Sequence, residues 1–495
     1  MFLSADTGGG HRASAESLAN QFQIIFPGST YDLLDVISLD TCMPYNKIGA
    51  HYKHLSAHPR QWKLVYEVTN SRAVEMATDL HIKLACEPRI RSRIKSYNPD
   101  VVISVHPMMN GVPAAACKKI SQETGKHLPM FTVVTDLGSC HSLWFSSAVE
   151  KVFIASEQIR NLAIKRGRIP EDKLIQSGLP IRHDFAVQAE KLGDRNSAKG
   201  LAYQLNLREA LGIRNADYRA VLVMGGGEGV GSLSAIVDAL FIELTKKGID
   251  ATILVVCGRN ENLKRDLDER NWDVTVSESR LAKDLPNCWA PPIVTSPSTG
   301  CIDQSITNRL RRVLSSRTKL DAVASPLPAE LSTDEDEEDD EISVGQNEIA
   351  EHDSTECIFS FGRVDVVGLG FVTNMAKYMV AADVLVTKAG PGTIAEAAAV
   401  GLPVMLTSFL PGQEEGNADF VVEKKFGALV PDYDPMAIAD EVCDWLTSEE
   451  KLAEMSRAAS KAGVPLAAKD IARQIGQSTI RWRELHEAEA PVMNV

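Results

Sequence analysis

The sequence predicts an α/β protein built from two Rossmann-like, doubly wound parallel sheets that face a cleft. Three observations predict it. Short, continuously apolar runs alternate with helical stretches, the same alternation restarts after residue 215, and glycine-rich turns follow several of the runs. Runs that are apolar throughout belong to strands covered on both faces by helices, which is the habit of parallel sheets. Ligands of such sheets gather at the carboxyl ends of the strands, and the glycine turns fall there.

The first domain is read as residues 1–190. Its strands are the opening Met1-Phe2-Leu3-Ser4, read as the tail of a strand, then Val101–Val105 ending at His106-Pro107, Phe131–Thr135 ending at Asp136, and Val152–Ile154. The opening run is shorter than the usual five or six residues of a strand. The expectation is therefore that an authentic N-terminus, with a targeting peptide, precedes Met1. The second domain, 191–470, holds Ala220–Met224, Ile253–Cys257, Val384–Thr387 and Val404–Leu406. Within the tail, 471–495, the helical stretch Ile471–His486 is expected to pack back on the first domain. Residues 277–357 break the pattern with 17 acids against 7 bases, an acidic run from Asp334 to Glu341, and Ser-Pro pairs. Such a segment buries too little apolar surface to order itself, so it is expected to be a disordered acidic insertion.

Composition narrows the function. The 495 residues are 44% apolar and 24% charged, as in a soluble globular chain. The net charge is −14, and most of it lies in the acidic stretch, so nothing in the charge balance invites nucleic acid. Nine cysteines without a C-x-x-C pair fit reduced thiols rather than a disulfide or zinc framework. No apolar run reaches the ~18–20 residues of a spanning helix. Membrane contact is therefore expected to be peripheral.

The chemistry concentrates in the glycine turns. Asp6-Thr7-Gly8-Gly9-Gly10-His11 lies between the first strand and a helix from Ala13 to Phe22, where glycines admit a ligand close to the backbone and the helix offers free amides. It lacks the G-x-G-x-x-G spacing of a dinucleotide site, which argues against an epimerase or dehydrogenase. His11 is a base with its ordinary pKa near neutrality, placed directly on the loop. Met224–Gly229, which includes Gly227 and Glu228, repeats the device in the second domain. A third copy, Lys388–Ala397, opens a helix at Gly390-Pro391-Gly392-Thr393 whose amides suit a diphosphate, with Glu396 placed for a ribose diol. Gln413, Glu414 and Asn417 then follow the next strand, with side chains suited to sugar hydroxyls. Tyr45–Leu84 mixes Tyr52, Trp62, Tyr66, Lys53 and Lys63 with apolar residues, which suits either a lipid-facing patch or a plain covering helix.

Asp6–Ser14 (DTGGGHRAS), Ser104–Pro107 (SVHP), Thr135–Phe145 (TDLGSCHSLWF), Gly178–Arg182 (GLPIR), Met224–Gly229 (MGGGEG), Cys257–Asn260 (CGRN), Thr387–Ala397 (TKAGPGTIAEA) and Gly412–Asn417 (GQEEGN) resemble the motifs of the monogalactosyldiacylglycerol synthases. They fall in that family's order over nearly the whole chain, with residues 277–357 as the departure. More distantly the chain is similar to the bacterial transferase that adds N-acetylglucosamine to the lipid-linked peptidoglycan precursor.

The resemblance implies a GT-B fold and a UDP-galactose:1,2-diacylglycerol 3-beta-galactosyltransferase that inverts the sugar and makes monogalactosyldiacylglycerol for plastid membranes. The alternative is the same fold using UDP-glucose or UDP-N-acetylglucosamine with another lipid acceptor. By the same resemblance, His11 is the general base on the acceptor hydroxyl, and Asp136 or Asp6 orients or charge-balances it. The leaving UDP is met by the Gly390–Thr393 amides, the dipole of the helix behind them, and Arg182. Gly370, Phe371 and Val372 read the uracil, Glu396 holds the ribose, and Gln413 and Glu414 read the galactose, with Asn417 beside them. Gly10, Gly227 and Glu228 complete the donor side. Trp144 matches a position associated with anionic lipid, and Arg12 and Trp62 join it on the lipid and acceptor side. Neither metal nor cofactor is expected; UDP-galactose is a co-substrate and anionic lipid an activator. The implied partners are UDP-galactose, diacylglycerol and an anionic membrane surface, with a homodimer as a candidate assembly. The implied location is the chloroplast envelope, peripherally bound.

Overall fold

The computed structural model describes residues 1–5, 9–225, 233–272 and 361–489. The expected acidic insertion, together with Asp6, Gly227 and Glu228, lies outside them. Among the described residues the strands form two six-stranded sheets, parallel throughout. The front sheet is ordered β2-β1-β3-β4-β5-β6. Its strands are β1 (Phe2–Leu3), β2 (Leu33–Leu34), β3 (Val102–Ser104), β4 (Met130–Val133), β5 (Val152–Ile154) and β6 (Leu174–Gln176). The rear sheet is ordered β12-β11-β10-β7-β8-β9. Its strands are β7 (Arg219–Met224), β8 (Ala251–Val256), β9 (Val364–Leu369), β10 (Val384–Thr387), β11 (Val404–Leu406) and β12 (Gly427–Leu429).

Alternation along each strand sends neighbouring residues to opposite faces. In the front sheet Phe2, Ile103, Phe131 and Phe153 share one face with Ala15 and Leu18 of the Gly10–Ile25 helix. Val102, Met130 and Val152 turn the other way, towards Ile90, Ile94, Val112 and Ile120. The C-terminal helix, Ala467–Glu489, adds Ile471 and Ile475 to the first face, so the chain ends by covering the sheet with which it began. At Gly476 the helix comes against the Phe26 ring, where an added Cβ would sit 2.1 Å away.

The rear sheet is enclosed by Met379, Val380, Ile394, Phe420 and Val421 around Leu222, Leu254, Leu385 and Val404. Arg195, on the segment that joins the lobes, is buried in this lobe. Its guanidinium donates to the carbonyls of Val400, Ala382 and Met379 and to Gln204 Oε1, at 3.1, 2.6, 2.8 and 2.9 Å. Burial lowers even this arginine's pKa, to about 10. Among the described residues no helix is long and apolar enough to cross a membrane.

Candidate active site

His11 stands on the first turn of the Gly10–Ile25 helix, entered through Gly9 at φ +47°. Its ring packs against two others, His106 at 4.9 Å and Trp144 at 5.8 Å between centroids. Nδ1 lies 2.8 Å from Thr135 Oγ1. Burial pushes the His11 pKa down to about 4, against a backbone hydrogen bond with Val105 that raises it, so the ring is neutral at physiological pH. His106 is buried and pushed down as well, with the nearby His11 adding to the effect.

Sequence reasoning left Asp136 and Asp6 as alternative partners of the base. Asp6 lies outside the described residues. Asp136 is 4% exposed and accepts from the Trp144 indole N–H at 2.8 Å. Burial raises its pKa to about 7, with the Trp144 bond opposing and Glu414 adding to the rise. Among the described residues the side chain hydrogen-bonded to the imidazole is the neutral Thr135 hydroxyl, beside the Val105 backbone, and sequence reasoning missed it. The signal was a polar Thr-Asp pair closing an apolar strand at its carboxyl end.

The lobes meet where the loop after β4 touches the loop after β11 and the first turn of the Glu415–Glu423 helix that follows it. Backbone lies on backbone: a Cβ on Gly138 would fall 1.6 Å from the Gly416 carbonyl oxygen. Asn417 Oδ1 accepts from the Leu137 and Gly138 N–H groups at 3.0 and 3.2 Å, and Nδ2 donates to the Ala389 carbonyl at 3.3 Å. Ser139 Oγ donates to the Gln413 carbonyl at 2.8 Å and accepts from the Gly416 N–H at 3.1 Å. Asn417 was expected to read a sugar. It is 0% exposed and its amide is committed to the two lobes, so it joins them instead.

The rear lobe supplies the donor-side groups. Gly390 ends in an extended conformation with no side-chain cap, and Pro391 begins the Pro391–Ala399 helix, leaving its first amides to whatever binds there. Arg182 and Glu396 were expected to act separately on diphosphate and ribose. They hold each other, with Arg182 Nε and Nη2 donating to Glu396 Oε1 and Oε2, both at 2.7 Å. Glu414 is likewise committed: Oε1 accepts from Lys388 Nζ and Oε2 from the Leu410 N–H, both at 2.9 Å. Gln413 is half-buried and its side chain reaches the Tyr52 hydroxyl. Past β9, Phe371 is 69% exposed beneath the Arg259 guanidinium at 5.9 Å, and Val372 packs on the rear core.

A family model for monogalactosyldiacylglycerol synthase matches residues 11–181, and one for the glycosyltransferase family 28 C-terminal domain matches residues 330–471. The probable monogalactosyldiacylglycerol synthase 2, chloroplastic, of Oryza sativa subsp. indica is 30% identical over 96% of this chain and 79% of its own length. The chain belongs to the monogalactosyldiacylglycerol synthase family. Another relative, monogalactosyldiacylglycerol synthase 2 of Arabidopsis thaliana, is 28% identical over 100% of this chain and 82% of its own. The crystal structure of MurG from Acinetobacter baumannii superposes with a TM-score of 0.50 at 13% identity, covering 96% of this chain and 99% of that one. The two-sheet architecture is thus the GT-B fold, as the motifs implied.

The lipid-side expectations for this synthase-family chain need correction. Trp144 is 0% exposed, with its indole spent on Asp136, so it forms part of the wall behind His11 rather than a lipid contact. Its loop is pinned under the Pro59–Thr69 helix, where Ser142 N–H donates to Asn70 Oδ1 at 3.0 Å. Trp62 is half-buried between Tyr52 and Tyr66, at 5.2 and 6.1 Å, and Tyr66 lies against Gly412 of the rear lobe. Arg12 is exposed and paired with Glu16. Among the outward-facing residues, beside charged ones such as Lys63 and Lys83, are large aliphatics: Leu64 (63% exposed) and Val68 (49%) on one helix, and Met76 (64%), Leu80 (56%) and Leu84 (74%) on the Arg72–Ala85 helix. The spacing of four puts each set on a single stripe.

Proposed function

We propose that this protein is an inverting glycosyltransferase that moves galactose from UDP-galactose to the free hydroxyl of 1,2-diacylglycerol at the plastid envelope, bound peripherally to the membrane. His11 Nε2 takes the proton of the acceptor hydroxyl as its oxygen attacks the anomeric carbon. The bond from that carbon to the UDP oxygen breaks, the electron pair leaves with UDP, and the configuration inverts. A single in-line displacement needs a base, alignment and stabilisation of the leaving group, with no protein nucleophile. The amides at Gly392 and Thr393 and the positive end of their helix meet the departing diphosphate. Ribose and diphosphate bind beside the Arg182–Glu396 pair, which shares its charges with them.

The observation that carries the reading is the His11 imidazole at the head of the front-lobe helix, with Nδ1 2.8 Å from Thr135 Oγ1, one loop away from the contact with the rear lobe. A base must be unprotonated to act, and burial keeps His11 so. The exposed aliphatic stripes support a lipid-borne acceptor, since solvent does not favour such a patch. The test is incubation with diacylglycerol vesicles and UDP-galactose, UDP-glucose or UDP-N-acetylglucosamine, with the product identified by mass. Galactolipid from the first donor alone is expected. Glucolipid or aminosugar lipid would favour the alternative donors. His11→Ala should lower transfer by roughly 100-fold or more while UDP still binds, and an active variant refutes the base.

A further inference from the structure

Five consecutive residues after β4 hold both the base and the opposite lobe. Thr135 contacts His11 Nδ1 at 2.8 Å, and two residues on, the Leu137 and Gly138 amides donate to Asn417. Ser139 completes the dock through Gln413 and Gly416. The Leu137 carbonyl accepts from Ser156 Oγ, so the loop is fixed to its own lobe at the same point. Thr135 is 3% exposed and Asn417 0%. The hydroxyl thus sits in a dry site beside the ring, and the amide sits in a dry site between the lobes.

We propose that Thr135 and Asn417 are positioning residues for His11: docking of Asn417 on the loop sets Thr135 Oγ1 to accept from Nδ1–H, and the base is aligned only while the lobes are joined. The inference rests on His11 being the base. A neutral imidazole carries one N–H, and a fixed acceptor at Nδ1 leaves the Nε2 lone pair for the substrate proton. No charged group is needed for this. The rings of His106 and Trp144 pack on the imidazole and the Val105 backbone adds a hydrogen bond; among the described residues Thr135 is the side chain bonded to it, and as acceptor at Nδ1 it selects the tautomer. The linkage is stiff because no side chain intervenes at Gly138 and Gly416, where the two backbones touch. Lobe separation withdraws the acceptor of two loop amides at once, releasing the strand end that carries Thr135. Transfer by an open enzyme, with the sugar exposed to water, is thereby suppressed.

The test compares kcat and donor KM of Thr135→Val, Thr135→Ser, Asn417→Ala and the double variant Thr135→Val/Asn417→Ala, with His11→Ala as reference and melting to confirm folding. Valine keeps the shape of threonine and removes the acceptor. Thr135→Val should lose kcat on the order of 100-fold, as for a reacting group displaced by about 1 Å, with donor KM nearly unchanged. Thr135→Ser should restore it. Asn417→Ala should lose kcat similarly, and the double variant should be no worse than the weaker single one, because both break one linkage. Should Asn417→Ala fail to fold, Gly138→Ala, which crowds the same junction, takes its place in the cycle. Full kcat in Thr135→Val beside an inactive His11→Ala overturns the inference alone, as do losses that multiply in the double variant. An active His11→Ala overturns the base reading and the inference with it.

Discussion

Acidification should destabilise the folded chain through His11, His106 and His141, and Asp136 should oppose them. His11 and His141 are pushed by burial from 6.5 to about 4, and His106 is pushed well below 6.5. Between pH 6 and 5 each is largely protonated when unfolded and neutral when folded. A depressed histidine pKa therefore contributes stability that is lost as pH falls through 6.5 towards 4. Asp136 has the opposite sign: its folded pKa is about 7 against 3.8 unfolded, so the native state holds the extra proton and gains stability as pH falls through that interval. Each such proton is worth about 1.4 kcal/mol per pH unit. Three histidines against one carboxyl leave a net of two protons, a loss of roughly 2.7 kcal/mol per pH unit. Asp136→Asn retains an acceptor for the Trp144 indole and cannot titrate, so it removes the counterweight alone. Urea unfolding followed by tryptophan fluorescence at pH 6.0, 5.5 and 5.0 should give a slope steeper than wild type by about 1.4 kcal/mol per pH unit. Parallel slopes for the two proteins would refute the assignment of a protonated, buried Asp136.

Three further outcomes follow from the same contacts. The acid limb of kcat/KM should lie near the His11 value of about 4, because activity needs the neutral ring and is lost as pH falls through its folded pKa; a limb near 6.5 would show the ring is not desolvated. Gly476→Ala should lower stability by about 1–3 kcal/mol, since its methyl group lands 2.1 Å from Phe26, and the additional variant Phe26→Leu should recover part of the loss in thermal melts. Leu80→Glu/Leu84→Glu should abolish flotation with lipid vesicles while leaving the melting temperature within a few degrees, because both residues lie on the outer stripe at 56% and 74% exposure; unchanged flotation would move the lipid surface elsewhere.

The fold was legible wherever a strand is covered on both faces. Every run read as a strand in the sequence lies in the interior of a sheet. The four strands passed over, β2, β6, β9 and β12, are the edges. An edge strand is half-covered, and its residues show it: Val364–Leu369 mixes Asp365 and an exposed Val367 among its apolar positions, and Gly427–Leu429 is only partly buried throughout. The GT-B fold and the family were legible in the motifs, and the comparisons bear both out. Roles within the site were harder to read. A polar residue beside a glycine turn looks the same whether it will face a sugar or another lobe, and Asn417 and Glu414 proved to be committed to protein. The Arg182–Glu396 pair joins residues 214 apart in sequence, which no local spacing announces. Trp144 reads as an anionic-lipid contact by resemblance alone, yet its N–H found a buried carboxyl.

Among the described residues strand β9 pairs with β8 alone. The chain reaches it from the Glu261–Glu269 helix by way of residues 273–360, so all that extra length is admitted at the margin of the rear sheet. A margin has one neighbour to satisfy, and lengthening the approach to it leaves the remaining ladders in register.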